Sequence, residues 1–363
     1  MLSFGIVGLP MVGKTTVFNL VTGGGAETSR FMTGKTGTNV GMARVRDPRV
    51  DFLSDLFKPR RTVYAQVQCS DVPGLVRGAS EGQGVGNQFL EGIREADLLV
   101  HVLRAFNNPN VPHLDGEIDP VRDLETVSME LLFADMELLE KRISRIKGGK
   151  KITGEAAFEM EVLQKCLAGL ENETPLHRQE LAAEERAALR HYNFLTEKPV
   201  ILVVNTDEEQ FKSRSYPGRD ALEKAASARG LKTIEICGEM ELEISRLSPE
   251  DREIFLADLG VGELGSDRLV RTAYDQLGLI SFFTVGEDEV KAWTIRQGTD
   301  AKRAAGKIHS DIERGFIRAE VVAYKDLYEQ GSMAGVKEKG LARLEGKDYI
   351  VEDGDIINFR FNV

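Results

Sequence analysis

The chain has 363 residues, 42% hydrophobic and 29% charged, with 36 Gly, 11 Pro and a formal net charge of −11. That length supports roughly two or three domains, and no apolar run reaches the ~20 residues of a membrane span. The acidity argues against a protein held to nucleic acid by bulk charge. Cys69, Cys166 and Cys237 are scattered without a CxxC, which predicts reduced, buried thiols in a cytoplasmic protein rather than a metal or disulfide framework. The start, "MLSFGIVG", has no basic n-region and runs straight into a strand, so a signal peptide is not expected.

In chain order, "LSFGIVG" (2–8) reads as a buried strand and leads into Gly8-Leu9-Pro10-Met11-Val12-Gly13-Lys14-Thr15. This is G-x-x-x-x-G-K-[ST] between a strand and a helical stretch, the context a phosphate-binding loop requires. Its glycines let backbone N–H groups curl around a phosphate at a helix N-terminus, whose dipole favours the anion. Lys14 is placed to reach the β- and γ-oxygens, and the Thr15 hydroxyl to ligate Mg²⁺.

The strand "VYAQVQCSD" (63–71) follows and ends in "DVPG" (71–74). One strand after a phosphate loop, Asp71 is expected to hold Mg²⁺ through water and the Gly74 amide to sense the γ-phosphate. The glycine-rich run behind it would reorder when that phosphate leaves. Related hydrolases carry Gln after this glycine to orient the attacking water; here it is Leu75, which cannot. Another group, a backbone-held water or a partner must serve, and slow unassisted turnover is expected.

"ADLLVHVLRAF" (96–106) and "PVILVVN" (199–205) have the texture of strands buried on both faces, and "LKTIEIC" (231–237) is a further strand. Strand–helix alternation of this kind predicts a doubly wound α/β domain, 1–118 with 196–277. Between its halves, 119–195 reads as amphipathic helices: Leu124, Val127, Leu131, Ala134, Leu138 and Leu132, Met136, Leu139, Ile143, Ile146 step by 3 and 4. After a Gly/Lys-rich turn, Met160, Leu163, Leu167 and Leu170 repeat the rhythm, so an antiparallel helical hairpin is predicted. Residues 278–363 read as strands around one helix, "TDAKRAAGKIHSDIERG", a small β-grasp, ubiquitin-like unit. Lys302, Arg303, Lys307, Lys337, Lys339 and Arg343 there are either solvated surface or a local contact to RNA or a ribosomal protein.

The strand 199–205 ends in "NTDE", where a GTP-binding protein carries Asn-Lys-x-Asp. Guanine offers two donors that an Asp accepts together. Glu208 displaces that carboxylate and Thr206 removes the Lys stem, so guanine discrimination should fall. The expectation is a base site altered away from guanine, with adenine as the ligand; a GTPase with relaxed base choice is the alternative. "ICGEMELEI" (236–244) follows the next strand, where Cys237 and Gly238 would make the last base contact. The expected phosphate contacts are therefore Gly8, Met11, Val12, Gly13, Lys14, Thr15 and Thr16, and the base contacts Asn205, Thr206, Glu208, Cys237 and Gly238. Lys14, Asp71 and Gly74 carry the chemistry, with ATP and Mg²⁺ as cofactors.

With these residues in hand the chain resembles the YchF or Obg-like ATPase family over essentially its whole length. The similarity lies in "GLPMVGKTTVFN", "DVPGLVRGASEGQGVGNQFL", "DPVRDLETVSMELLFADMELLEKR", "NTDE" and "KGLARLEGKDYIVEDGDIINFRFNV". The resemblance implies a Ras-like G domain interrupted by a helical coiled coil and followed by a TGS domain. It also implies ATP preferred over GTP, and association with the ribosome through rRNA and ribosomal protein. Neither membrane nor sequence-specific DNA is expected as a partner, and a monomer is expected. The family's altered base motif falls on Asn205 and Glu208, and its hydrophobic replacement for Gln on Leu75. The chain departs from the family at three places. Met11 replaces an Asn that relatives use to hold potassium, so potassium activation is not carried over. Pro73 replaces Ala. "TGKTGTNVG" puts Lys35 in the register of a switch Thr, leaving Thr36 as the metal ligand only with a one-residue slip. A nucleotide-stabilised binding module with incidental hydrolysis is the remaining reading.

Overall fold

Apolar runs without polar alternation are buried on both faces of a sheet. β1 (Ser3–Val7) and β5 (Leu98–Arg104) are buried at every residue, and β6 (Val200–Asn205) at all but its first. With β2 (Asn39–Arg44), β4 (Gln66–Asp71) and β7 (Lys232–Ile236) they form a six-stranded sheet of order β2-β4-β1-β5-β6-β7. The β4/β1, β1/β5, β5/β6 and β6/β7 pairs are all parallel. The chain leaves β1 towards one side and later returns to the other, so the carboxyl end of β1 is a topological switch point, where such sheets bind ligands. This is the α/β fold that the strand–helix alternation predicts.

The computed structural model describes residues 2–24, 38–72, 74–75, 90, 92–113, 116–149 and 154–362. Its contacts divide the chain into two units, Met1–Gly41 with Gln68–Leu269 and Met42–Val67 with Val270–Val363. Among the described residues no helix is long and apolar enough to cross a membrane. All three cysteines are free and buried.

In the first unit, helix Pro120–Lys147 starts where Asp119 accepts from the N–H groups of Val121 and Arg122, with Pro120 at the first position. Its early residue Leu124 packs with Leu103, Leu202 and Val204 of the sheet. Farther along, Leu132, Leu139, Ile143 and Ile146 pack against Val162, Leu163, Cys166 and Leu170 of helix Gly154–Glu171, as their 3–4 spacing predicts. Asp135 fixes this insertion to the chain returning to β6. Fully buried, it accepts from the Leu195 N–H (3.1 Å), the Thr196 N–H (2.8 Å) and the Thr196 hydroxyl (2.9 Å), and pairs with Arg94 at 3.2 Å. Burial pushes its carboxyl pKa up, and these donors oppose the shift.

His101 of β5 is also buried, and burial first, then Lys14 and Arg229, push its pKa down to about 3. The unfolded chain therefore takes up this proton at higher pH than the folded one. Stability intact above the ordinary value of 6.5 should be lost as pH falls towards 3. A single such group contributes a slope of about 1.4 kcal/mol per pH unit. Urea titrations of the wild type and His101→Leu at pH 7, 6 and 5 should show the variant's profile flatter, by about 2 kcal/mol in total between pH 7 and 5; parallel profiles would refute the assignment.

The second unit holds a six-stranded sheet. β8 (Leu279–Val285) and β9 (Glu289–Arg296) are antiparallel, and β10 (Phe316–Ala323) is antiparallel to both β11 (Arg343–Glu345) and β12 (Asp355–Phe361). β12 runs parallel to β8, and β3 (Arg61–Val63) runs parallel to β9. Helix Ala301–Ile308 lays Ala301, Ala304 and Ala305 against Phe282, Ile295, Val321 and Ile357.

Several sequence readings change. The run 63–71 is not one strand: Val63 ends β3 and Gln66 begins β4, so the break at Tyr64–Ala65 lets neighbouring residues serve different sheets. The helix predicted over 299–315 is two, Ala301–Ile308 and Ser310–Arg314. His309 is extended between them, and its Nδ1 accepts from the Asp311 N–H. Asp300 caps the first by accepting from the Arg303 N–H at 2.9 Å. β2 and helix Pro48–Phe57 lack long apolar runs and went unpredicted; Asp47 and Pro48 are the start signals that mark that helix. Residues 42–67 belong with the C-terminal strands, held by the β3/β9 pairing and by Arg49, which bonds Asp353 at 2.7 Å.

Candidate functional site

The parallel register brings the ends of five strands to one rim. Ile6 is level with Asp71, and Arg104 with Asn205, which in turn is level with Ile236. Gly8, Asp71, Asn205 and Gly238 therefore meet at the carboxyl edge of the sheet.

The loop after β1 has the backbone its glycines require. Gly8 has φ +148°, and a Cβ there would lie 2.5 Å from the Val102 carbonyl oxygen. Gly13 has φ +96°, and a Cβ there would lie 2.3 Å from Asn205 Nδ2. Gly13 also caps helix Lys14–Thr22, whose first N–H groups point at the loop. Met11 has φ +64° with no glycine to relax it, a conformation that Asn tolerates better than Met.

Lys14 is buried and donates to the Leu9 carbonyl at 2.8 Å. Burial pushes its pKa down to about 8, against the pull of Asp71. The Thr15 hydroxyl donates to Asp71 Oδ2 at 2.8 Å, and Asn39 Nδ2 stands 3.5 Å from the same oxygen. Burial raises the Asp71 pKa, opposed by Thr15, Lys14 and Asn39. Gly74 packs on the loop, with Pro10 Cα only 2.9 Å from where its Cβ would be. The Leu75 N–H donates to the Gly8 carbonyl at 3.1 Å and its side chain is fully buried, so it offers nothing to a water. Thr36, Lys35, Pro73 and the run 76–89 lie outside the described residues.

At the base end, Asn205 is a clasp. Its Nδ2 donates to the Val12 carbonyl and its Oδ1 accepts from the Gly238 N–H, both at 3.1 Å. Thr16 comes under the same loop, its Cγ2 2.9 Å from where a Gly238 Cβ would stand. Thr206 is buried, and its hydroxyl turns to the Ile236 carbonyl at 3.3 Å. Glu208 differs: it opens helix Glu208–Ser213 with its side chain 63% exposed and bonded to Lys212 at 2.5 Å. Cys237 is buried, its thiol pushed up to about 11 by burial.

The structure thus gathers Gly8, Met11, Val12, Gly13, Lys14, Thr15, Thr16, Asp71 and Gly74 at one end and Asn205, Thr206, Cys237 and Gly238 at the other, with Glu208 on the solvent side. Sequence reasoning missed what holds that loop. Asp207 accepts from the Gln210 and Asn107 N–H groups, and Gln210 reaches back to the Asp207 N–H and to the Ala105 carbonyl. The D-E-E-Q spacing is a capping box and could have revealed it. Asn39 carried no signal, because only the fold brings it near Asp71.

A phosphate loop at the switch point of a parallel sheet, with the Asn205–Glu208 turn two strands away, has the arrangement of a P-loop nucleotide-binding protein of the G-domain class. Full-length relatives make it specific: the chain is 44% identical over 364 residues to a Bacillus subtilis protein named Ribosome-binding ATPase YchF, covering all of both chains. The chain belongs to the YchF family. The same name is carried by an Escherichia coli O157:H7 protein, 43% identical over 99% of both chains. The solved Schizosaccharomyces pombe YchF GTPase superposes with a TM-score of 0.85 at 31% identity, covering 99% of this chain and 97% of that one. A family described as 50S ribosome-binding GTPase matches residues 3–134, and a YchF C-terminal family described as a protein of unknown function matches 279–362.

Proposed function

We propose that the chain is a Mg²⁺-dependent ATPase that works in the cytoplasm as a nucleotide switch at the ribosome, as a monomer, turning over slowly without a partner. The observation that carries this is the Thr15–Asp71 contact of 2.8 Å beside the buried Lys14. Two hard oxygen donors next to a phosphate loop suit Mg²⁺, which binds through one or two protein oxygens and completes its shell with phosphate and water. Among the described residues no cluster of three or more His, Cys, Asp or Glu competes for a metal. Thr15 and Asp71 would hold the ion, which when bound neutralises charge on the β- and γ-phosphates. Lys14 would leave the Leu9 carbonyl for those oxygens, and the loop amides of Gly8–Thr16 would orient them. The Gly74 amide would sense the γ-phosphate. Asn205, Thr206, Cys237 and Gly238 would shape the base pocket, with the exposed Glu208 turning from Lys212 towards it. Thr36 remains a proposed further metal ligand.

In this reading 1–118 with 196–277 is the Ras-like domain, its 42–67 segment lent to the C-terminal sheet, 119–195 a coiled-coil arm and 278–363 a β-grasp TGS domain. The last two are the surfaces offered to rRNA and ribosomal protein. The buried Leu75 favours slow hydrolysis and gives a second reading its footing: a nucleotide-stabilised module for which turnover is incidental.

Calorimetry of nucleotide-free protein with non-hydrolysable ATP and GTP analogues and Mg²⁺ tests base choice. ATP should bind at least about tenfold tighter, about 1.4 kcal/mol. Equal or reversed affinity would instead make the chain a GTPase with relaxed base choice.

A further inference from the structure

The first unit also contains a cavity of about 520 Å³ between the sheet, helix Pro120–Lys147 and the segment around Pro175. Its size is that of a small-molecule site. Leu99, Val127, Leu131 and Val200 give it apolar walls. Among its lining groups, Nε2 of His101, a residue only 3% exposed, has no hydrogen-bond partner among the described residues. An unmet buried polar group costs about 1–3 kcal/mol, so a group supplied from the cavity would be held there.

The charged lining is unbalanced. Arg178, Lys198 and Arg229 face Glu125 and Glu173, three cations to two carboxylates. Lys198 is committed to the Arg94 and Ala96 carbonyls. Arg229 donates to the Ser128 hydroxyl at 3.2 Å and stands 4.0 Å from Glu125, the loosest limit of an ion pair. Arg178 donates to the Ala228 carbonyl at 2.9 Å, one residue before Arg229 in the chain, and both arginines line the cavity. Apolar walls, two guanidinium groups in the lining and an unmet imidazole nitrogen describe a ligand with a hydrocarbon body and an anionic oxygen head.

We propose that this cavity binds a small apolar carboxylate, its head held by Arg229 and Arg178 with one oxygen against His101 Nε2. The cavity lining includes none of residues 8–16, and its test needs no turnover, so failure of the ATPase reading would leave it standing.

The chain has 5 histidines, few enough for their ring signals to be resolved in full-length protein labelled with ring-¹³C histidine. His101 is assigned as the signal lost in His101→Leu. Sodium octanoate should shift that signal saturably with a Kd below roughly 1 mM, while 1-octanol, of the same chain length but uncharged, should bind at least about tenfold more weakly. Arg229→Gln should weaken octanoate by about tenfold or more; if that variant fails to fold, the exposed Arg178→Gln gives the same comparison. No saturable shift would mean the cavity holds only water and would overturn the proposal. So would equal binding of octanol, or octanoate affinity unchanged in the folded variants.

Discussion

Lys14→Ala is expected to lower ATP turnover by at least about 100-fold, the scale on which removing one transition-state contact acts. The lysine is the only cation the described phosphate loop directs into its own concavity, and it lies buried 2.8 Å from the Leu9 carbonyl. Its burial cost is already met in the free protein, as its pKa of about 8 records. A phosphate arriving there meets a nearly dry ammonium, which is worth more than an exposed one. The fold should survive, because the loss is one hydrogen bond to a loop carbonyl, about 1 kcal/mol. Single-turnover ATP hydrolysis, with a denaturant melt as control, is the check. A folded variant within tenfold of wild type would remove Lys14 from the chemistry. If instead turnover is lost while ribosome association persists, the binding-module reading gains.

Asn205→Ala should act on everything at once. The clasp ends on the Val12 carbonyl and the Gly238 N–H, and Asn205 itself is buried. Each group left without a partner costs about 1–3 kcal/mol, so a stability loss of about 3 kcal/mol is expected from urea unfolding. Nucleotide affinity should fall equally for ATP and GTP, because the clasp sets loop geometry and does not read the base. Glu208→Ala makes the contrast. That side chain is exposed and its Lys212 partner lies one helical turn away, so stability should move by no more than about 0.5 kcal/mol. Any change there should appear only in the ATP-to-GTP ratio. An Asn205→Ala variant as stable as wild type would show that the two loops hold themselves.

These contrasts mark what can be read from a sequence. The phosphate loop is legible because its chemistry is local: a strand, two glycines with special φ, a Lys and a Thr within eight positions. Asn205 is legible as a strand end, but not as a clasp, since its partners come from loops far apart in the chain. "NTDE" invites reading Glu208 as a displaced base-binding Asp. Yet its direction is set by Asp207, which starts a helix there and leaves Glu208 on the outside. The helical stripes of 119–195 were readable from spacing, whereas Asp135, the buried anchor of that region, looks like any polar residue on a helix. The split of 63–71 between two sheets is invisible locally, because β3 finds its partner β9 only once the C-terminal strands are in place.

The three buried thiols have a use unconnected with nucleotide. Cys69 sits two residues before Asp71, Cys166 in the helical pair and Cys237 beside the base loop, and burial raises each pKa, to about 11 for the last two. Only a thiolate alkylates, and only once exposed, so each cysteine stays silent until its own neighbourhood opens. Iodoacetamide incorporation, followed by mass spectrometry peptide by peptide, therefore times three separate opening events in one unmodified molecule. Slower labelling at Cys69 and Cys237 than at Cys166 when nucleotide is added would map, in units of time, how far the ligand's grip extends.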